Sequence, residues 1–266
     1  MMPLEHTNLP GALPLQLLGQ SGCRIGVPGC TIYLDPYLSH SVEKLDGADL
    51  KRLLPIPLQP EEVTDAAWVL LTHDHLDHCD PHTLPELAKA SPTAQFMGPP
   101  TVLAMLLEWG IAAGRLHPAE ERWLQLAPQL QVHAVPAAHP EISRDQDGAL
   151  ACVGYVLEHA GRRIYLAGDT SVRQELIDAV QALSPIRSAV LPVNEHNFFR
   201  GRRGIIGNMS VREALQLAEE LGVEELIPVH WDMFAVNAVS LDEIRAVYAQ
   251  VKPRFQLAIQ PSSFFS

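Results

Sequence analysis

Hydrophobic and polar positions alternate with a period of two in the first part of the chain, and helix-like patterns enter afterwards. Alternating segments separated by Gly and Pro turns predict strands over residues 14–18, 23–27 and 30–34. A continuous apolar run over residues 66–71 predicts a strand that is buried on both faces. Later strands are predicted over residues 95–97, 129–136, 149–158, 163–167, 188–193, 225–229 and 255–259, and helices over 102–109, 172–183 and 241–250.

Two further helices are predicted by capping-box spacing at their first residues. Thr83 and Ser210, each with a Glu three positions later, precede apolar positions at helical spacing. The second half of the chain repeats the layout of the first half, with strands followed by alternating strands and helices. We therefore expect an α/β fold, a four-layer αββα sandwich of two mixed β-sheets flanked by helices. We expect a single domain over residues 1–266, with a core at about residues 14–260.

The segment His73-x-His75-x-Asp77-His78 directly follows the strand predicted to be buried. In an extended chain, residues two apart point to the same side, so His73 and His75 can face one ion. Asp77 and His78 follow as the loop turns towards the next helix and can address a second position. Imidazole nitrogen and carboxylate oxygen suit zinc, manganese or iron. The alternative is a solvated polar loop whose histidines cap the helix.

Three more candidate ligands lie where predicted strands end. His139 follows the strand over residues 129–136, whereas His133 lies inside that strand and is the alternative ligand. Asp169 follows a Gly that allows the backbone to approach closely, and its alternative role is to cap the next helix. His230 ends another buried strand. Together these residues provide enough ligands for two open metal sites: His73, His75, Asp77, His78, His139, Asp169 and His230.

The string Leu70-Leu71-Thr72-His73-Asp74-His75-Leu76-Asp77-His78 resembles the first metal motif of the metallo-β-lactamase fold superfamily, and the later ligands follow in the order of that superfamily. Shorter segments resemble its L-ascorbate-6-phosphate lactonase branch: residues 96–99, 203–205, 209–210 and 227–232. The resemblance implies one metal site formed by His73, His75 and His139. It implies a second site formed by Asp77, His78 and His230, with Asp169 shared between the two.

The same resemblance implies a metal-dependent hydrolase with Asp77 and Asp169 as catalytic residues. One or two divalent ions, zinc or manganese, would supply a metal-bound hydroxide near neutral pH, and Asp77 would hold this nucleophile or pass on its proton. The branch motifs favour the opening of a lactone of a small sugar acid or sugar phosphate. Two alternatives stay open. One is a phosphodiesterase or phospholipase of the same fold, and the other is a non-hydrolytic metal-binding protein or dioxygenase.

A loop over residues 194–208 carries the densest positive charge, in the segment Arg200-Gly201-Arg202-Arg203-Gly204. Such a cluster can bind a phosphate or carboxylate through charge-assisted hydrogen bonds, and a solvated surface loop is the alternative. Arg203, whose Arg-Gly-Ile context resembles the lactonase branch, is predicted to bind substrate. His196 and Asn197, at the start of the loop, are predicted to contact substrate as well.

Two residues near these motifs have an ordinary structural alternative. Asp35 lies at a predicted strand end and is either a pocket residue or, as we expect, a turn residue. Cys79 follows the first motif and is expected to be a packed small side chain at the helix entrance rather than a functional thiol.

The chain is acidic, with Lys+Arg 19 against Asp+Glu 31 and a formal net charge of −12. It lacks the basic field that attracts nucleic acids and anionic membrane surfaces, so we expect neither partner. The arginine-rich segment over residues 200–204 instead suggests a small anionic substrate. The four cysteines form no CxxC pair, and the first residues lack the positive charge of a signal peptide, so we expect a cytoplasmic protein. The resemblance to the lactonase branch also suggests a homo-oligomer.

Overall fold

The computed structural model describes residues 13–259. Residues 1–12 and 260–266, and the ends of the predicted domain, lie outside the described residues. The first of its two β-sheets has six strands, which are in spatial order β1 (Leu15–Gly19), β2 (Gly22–Val27), β3 (Cys30–Leu34), β4 (Trp68–Leu70), β5 (Gln95–Gly98) and β6 (Leu116–Pro118). The strands β1 to β3 pair antiparallel, and the strands β3 to β6 pair parallel.

The second sheet repeats this arrangement with seven strands. In spatial order they are β7 (Leu124–Ala127), β8 (Leu130–Pro136), β9 (Val153–His159), β10 (Arg162–Leu166), β11 (Ser188–Pro192), β12 (Glu225–Val229) and β13 (Gln256–Leu257). The strands β7 to β10 pair antiparallel, and the strands β10 to β13 pair parallel. Every residue of β4, β11 and β12 is buried, as expected for parallel strands covered on both faces.

Seven α-helices accompany the sheets within residues 13–259. They are α1 (Ser41–Leu45), α2 (Leu84–Ala90), α3 (Pro100–Glu108), α4 (Gln174–Gln181), α5 (Phe198–Gly201), α6 (Val211–Glu220) and α7 (Leu241–Val251), and short 3₁₀ turns lie at Pro60–Glu62 and Ala113–Arg115. None of the helices in this described part is long and apolar enough to cross a membrane.

Three apolar layers hold the four secondary-structure layers together. Side chains of both sheets, such as Ile25 and Tyr155, pack between the sheets. The helices α2 and α3 cover the outer face of the first sheet, where Leu87 packs in the same cluster as Phe96. The helices α4, α6 and α7 cover the second sheet, where Leu215 belongs to the outer cluster. This arrangement confirms the predicted αββα sandwich of two mixed sheets.

Several local predictions were wrong in their limits. The strand expected over residues 149–158 begins only at Val153, and the loop expected over 194–208 contains the short helix α5. The capping box at Ser210 is confirmed, but the one at Thr83 is absent. The Thr83 hydroxyl instead donates to Asp80 and accepts from the backbone N–H of Leu38, because these partners are close in the folded chain.

The loop after β4 is fastened to the second sheet by two hydrogen bonds. The backbone N–H of Val153 donates to the carbonyl of Thr72 over 3.0 Å, and the hydroxyl of Tyr155 donates to the carbonyl of Leu71 over 2.7 Å. Because β8, β10 and β12 run in the same direction, the loops that follow them lie at one edge of the second sheet. The fold therefore brings four loops together at one place.

Candidate metal centre

The candidate ligands come from these four loops. The loop after β4 supplies His73, His75, Asp77 and His78, and the loops after β8, β10 and β12 supply His139, Asp169 and His230. Donor atoms of these residues form three groups, each with all atoms within 4.8 Å of one another: His73 with His75 and His139, His73 with His78 and Asp169, and Asp77 with His78 and His230. The structure thus brings all seven predicted ligands together.

The nitrogen atoms of the cluster suit a cation. The Nε2 atom of His73 is buried and has no hydrogen-bond partner, and the Nε2 atom of His78 is buried and faces the carboxylates of Asp169 and Asp77 at 3.3 Å and 3.6 Å. A buried polar atom without a partner costs free energy, and a metal ion would supply the missing partner. Imidazole nitrogen and carboxylate oxygen together are the donor set of zinc, manganese and iron centres. The arrangement therefore fits one or two divalent ions without distinguishing between these metals.

Asp169 lies between the two groups of histidines. Its carboxylate oxygens are 3.3 Å from His78 Nε2, 3.1 Å from His230 Nε2 and 3.8 Å from His139 Nε2. The carboxylate is almost fully buried, with 4% of its side-chain surface exposed. A carboxylate at this position can contact two ions at once.

Burial and charge shift the pKa values of the second group in a definite direction. Burial lowers the pKa of His78, but three nearby carboxylates outweigh burial and raise the pKa well above its usual value. These carboxylates belong to Asp169, Asp77 and Asp35. Burial also lowers the pKa of His230, and the carboxylates of Asp169 and Asp77 outweigh it and raise the pKa to about 9. In the ion-free chain, His78 and His230 therefore carry protons at pH 7.

The first group behaves differently because fewer carboxylates face it. Burial lowers the pKa of His73 well below its usual value, and the charge of the neighbouring His78 lowers it further. Burial lowers the pKa of His139 to about 4. These two imidazoles are neutral at pH 7 and are ready to bind a cation.

Loading the ion-free protein with a divalent ion at pH 7 is expected to release protons, since ligation requires His78 and His230 to be neutral. The release should decrease as the pH rises through about 9, where His230 has already lost its proton. Titration calorimetry in buffers of different ionisation enthalpy measures the number of protons released. A binding heat that does not depend on the buffer at pH 7 would contradict this prediction.

Gly168 allows the loop that carries Asp169 to approach the first sheet. Its φ is +60°, and a Cβ atom at this position would lie 2.6 Å from Thr72 Cγ2. Thr72 in turn contacts the cluster, since its hydroxyl lies 3.0 Å from His73 Nδ1. The close packing of Gly168 against Thr72 therefore fixes the distance between the two halves of the centre.

Replacing Gly168 by alanine is expected to lower the free energy of unfolding by about 1–3 kcal/mol, because the added methyl group overlaps Thr72. Denaturant unfolding of the ion-free protein measures this loss. The control is Gly148→Ala, since Gly148 also has a positive φ, +83°, but has open space around it. Equal losses in the two variants would show that the contact with Thr72 carries no cost.

A cavity of about 340 Å³ opens at this cluster. Asp77, His139, Asp169 and His230 form part of its wall, and Gly204, Ile205 and Ile206 approach from the loop that begins after β11. Its volume lies in the range of about 300–1,000 Å³ that is typical of small-molecule sites. The candidate metal ligands are thus accessible to a small ligand.

The predicted substrate residues lie outside the described wall of this cavity. The Arg203 guanidinium is exposed and donates to Asp49 over 3.2 Å. The Asn197 side chain accepts from the backbone N–H of Arg200 at the start of α5 and donates to Glu195. The backbone N–H of His196 donates to the carbonyl of Asn208. The roles proposed for Arg203, His196 and Asn197 therefore stay predictions.

Comparison with protein families adds a further observation. Residues 31–231 match the family described as the Beta-lactamase superfamily domain, so the match covers most of the chain and contains every candidate ligand. The chain belongs to this family. The superfamily resemblance seen in the first motif is thereby confirmed.

Individual members of the beta-lactamase superfamily are similar to this chain only at a distance. A Mycobacterium tuberculosis protein, Rv0906, is 27% identical over 239 residues, which cover 88% of this chain and 63% of that protein. A probable L-ascorbate-6-phosphate lactonase, UlaG, of Salmonella heidelberg is 24% identical over 230 residues, 79% of this chain and 61% of that protein. The chain thus spans about three-fifths of the length of these relatives.

Solved structures of the superfamily share the fold. Igni18, a metallo hydrolase from Ignicoccus hospitalis, superposes with a TM-score of 0.69 at 20% sequence identity. The superposition covers 92% of this chain and 94% of Igni18. The metallo-β-lactamase fold expected from the motifs is therefore confirmed.

Asp35 contacts the candidate ligand His78 and does not line the cavity. Its side chain is fully buried, and its Oδ2 atom lies 2.7 Å from His78 Nδ1. The same carboxylate accepts from the backbone N–H and the hydroxyl of Thr72 over 2.9 Å and 2.6 Å. A carboxylate on the far nitrogen of a ligand histidine fixes the ring and its tautomer. The turn role expected from the sequence was thus incomplete.

Gln20 contacts the centre, and the sequence interpretation missed it. It lies in the turn between β1 and β2 with a positive φ of 55°, and its side-chain amide donates to Asp77 Oδ2 over 2.6 Å. The same nitrogen is 2.8 Å from His230 Nε2. The signal that could have indicated it is the polar pair Gln20-Ser21 between Gly19 and Gly22, at the turn of a predicted hairpin.

Cys79 is fully buried, and burial raises the pKa of its thiol. A protonated, enclosed thiol is a poor nucleophile. The packed position supports the structural interpretation of this residue.

Proposed function

We propose that this chain is a metal-dependent hydrolase that opens a lactone. The observation that carries the proposal is the cluster of seven His and Asp ligands at the wall of an open cavity, with buried ring nitrogens that have no partner. Family membership supports hydrolysis as the reaction class. The resemblance to the lactonase branch and the likeness to the UlaG relative support a lactone as the substrate.

The chain offers a distinct place for each ion. His73, His75 and His139 would hold one ion, and Asp77, His78 and His230 would hold the other, with Asp169 between them. Divalent ions in such sites lower the pKa of water and polarise the carbonyl that is attacked.

Asp77 is suited to handling the proton of the attacking water. Its carboxylate lies at the cavity wall, and nearby His78 and His230 outweigh burial and hold the pKa of Asp77 well below its usual range. Asp77 is therefore ionised at neutral pH and can accept a hydrogen bond from the nucleophile. It can also take the proton that the attacking water loses and return that proton to the alkoxide that leaves when the ring opens. Gln20 holds the Asp77 carboxylate in place through its amide.

Segments that resemble the lactonase branch border the cavity. Gly204 and Ile205 from the Arg-Gly-Ile segment line it, and so does His230 from the segment over residues 227–232. A small lactone would enter here. A nucleic-acid phosphodiester is a weaker candidate because the chain carries a net charge of −12 and would repel a polyanion.

Turnover of metal-reconstituted protein on sugar lactones, with and without a phosphate group, and on a simple phosphodiester tests this proposal. We expect lactone opening that His75→Ala abolishes, since His75 belongs to the first ligand group. The control is His82→Ala, which removes an exposed histidine outside the three ligand groups. Phosphodiester cleavage without lactone opening would contradict the proposal.

A further inference from the structure

One side of the cavity is apolar and begins directly at the metal-ligand loop. Leu76, between His75 and Asp77 in sequence, packs in a small cluster with Phe234 and Val236. All three line the cavity, and Leu50 belongs to the same cluster and wall. An apolar group attached to a carbonyl at the ligand cluster would therefore lie against Leu76 and its neighbours.

The loop that carries Ile205 and Ile206 extends this apolar surface. Ile205 and Ile206 line the cavity, and 39% of the surface of Ile206 is exposed. When a ligand covers an exposed large apolar side chain at a cavity, the burial of apolar surface favours binding. Two separate chain segments thus present apolar groups to the same space.

Two carboxylates of the cavity wall disfavour an anionic group beside them. Asp46 and Asp74 are exposed, line the cavity and belong to none of the three ligand groups. Their repulsion of a phosphate group offsets the attraction that divalent ions bound to the ligand groups would exert on it. Among the wall residues that the structure describes, there is no lysine or arginine.

Arginines near this region are engaged elsewhere. The Arg52 guanidinium is buried and donates to the carbonyls of Tyr37, Ser39 and Leu54. The Arg200 guanidinium donates to the carbonyls of Asn194, Glu195 and Ala238. Arg203 pairs with Asp49 at the surface. A phosphate in the cavity would have to draw any one of these three guanidinium groups away from its present partners to pair with it.

We infer that the cavity takes an uncharged lactone with an aliphatic substituent, and not a phosphorylated sugar lactone. This inference rests on the proposed hydrolase function and names the substrate class of the same site. The ring carbonyl lies at the ligand cluster, and the substituent lies between the Leu76–Phe234 side and Ile206. Specificity then comes from burial of the alkyl chain and from repulsion of anions by Asp46 and Asp74.

The experiment measures kcat/KM of the metal-reconstituted protein for a series of lactones of one ring size. The series has no, a short or a longer unbranched alkyl substituent, and a phosphorylated sugar lactone is the comparison. We expect kcat/KM to rise about two- to fourfold for each added methylene group until the cavity is filled. The phosphorylated lactone is expected to react more slowly than the unsubstituted ring.

Three variants test the apolar part of the cavity wall and its carboxylates. Ile206→Ser is expected to reduce the gain per methylene, whereas Leu107→Ser, which removes an exposed leucine on α3 outside the cavity wall, is expected to keep it. Asp46→Asn is expected to raise kcat/KM for the phosphorylated lactone relative to the uncharged ones. A chain-length gain that is equal in Ile206→Ser and Leu107→Ser would overturn the inference.

A binding measurement separates this inference from the proposed function. Alkyl-substituted cyclic ketones of the same ring size have no ester bond to cleave, so calorimetry reports their affinity directly. If no lactone is hydrolysed but ketone affinity rises with chain length, the proposed hydrolase function fails and the substrate chemistry stands. If the phosphorylated lactone is preferred, or if neither turnover nor affinity depends on chain length, the inference is overturned.

Discussion

Replacing Asp35 by asparagine is expected to weaken the binding of a divalent ion about 10- to 100-fold. The Thr72 backbone N–H donates to Oδ1 of Asp35, so an asparagine would keep its carbonyl oxygen there. Its NH₂ group would then face His78 Nδ1, where the carboxylate oxygen now lies at 2.7 Å. Donation to Nδ1 moves the histidine proton to Nε2, the atom that faces the ligand cluster. His78 would then be the wrong tautomer to bind a cation.

Metal titration of the ion-free variant, followed by calorimetry, measures this loss. The matched control is Asp80→Asn, which replaces another fully buried aspartate, in the loop that carries His78. Asp80 accepts from the hydroxyl of Thr83 and the backbone N–H of His82, and it belongs to no ligand group. The control should lose stability and keep metal affinity. Unchanged metal affinity in Asp35→Asn would show that the carboxylate does not select the tautomer.

Asparagine at position 169 is expected to lower kcat/KM by at least about a thousandfold. Asp169 lies within 3.8 Å of ring nitrogens of His78, His139 and His230, so its charge is shared by both groups of the centre. Stabilisation of reaction charge by a metal centre amounts to several kcal/mol, and each 1.36 kcal/mol is tenfold in rate. A loss of about 4 kcal/mol of this stabilisation corresponds to about a thousandfold in rate.

Steady-state kinetics and the bound metal content of Asp169→Asn test this expectation together. A variant that keeps its metal but loses turnover would place Asp169 in the chemistry, and one that loses both would place it in metal binding. The control is Asp147→Asn, at an exposed position between β8 and β9. A variant at position 169 with nearly full turnover would exclude both roles.

The ligand loop could be predicted from sequence because the residues that define it lie close together along the chain. His73, His75, Asp77 and His78 lie within six consecutive positions, and the buried strand before them fixes where they start. His139, Asp169 and His230 could be suggested because each follows a strand, and strands are visible as apolar runs. The structure brings these residues together, and their roles in binding a metal remain predictions.

The supporting contacts could not be predicted because they join distant parts of the chain. Asp35 and His78 are 43 positions apart, and Gln20 and His230 are 210 positions apart. No local pattern contains either pair. The short strands β6 and β7 were missed for a related reason, since their residues are only partly buried and show no clear alternation. The direction of the Arg203 side chain depends on Asp49, which sequence spacing does not indicate.

The seven ligand residues are divided between the two sheets, four after β4 of the first sheet and three after strands of the second. An ion bound to His73, His75 and His139 would therefore be a mechanical cross-link across the sandwich. Parting the sheets would require coordinate bonds to break before the apolar layer between them separates. With the ion bound, the two sheets should stay together under a pulling force. Without the ion, the chain should separate between its two sheets at a lower force.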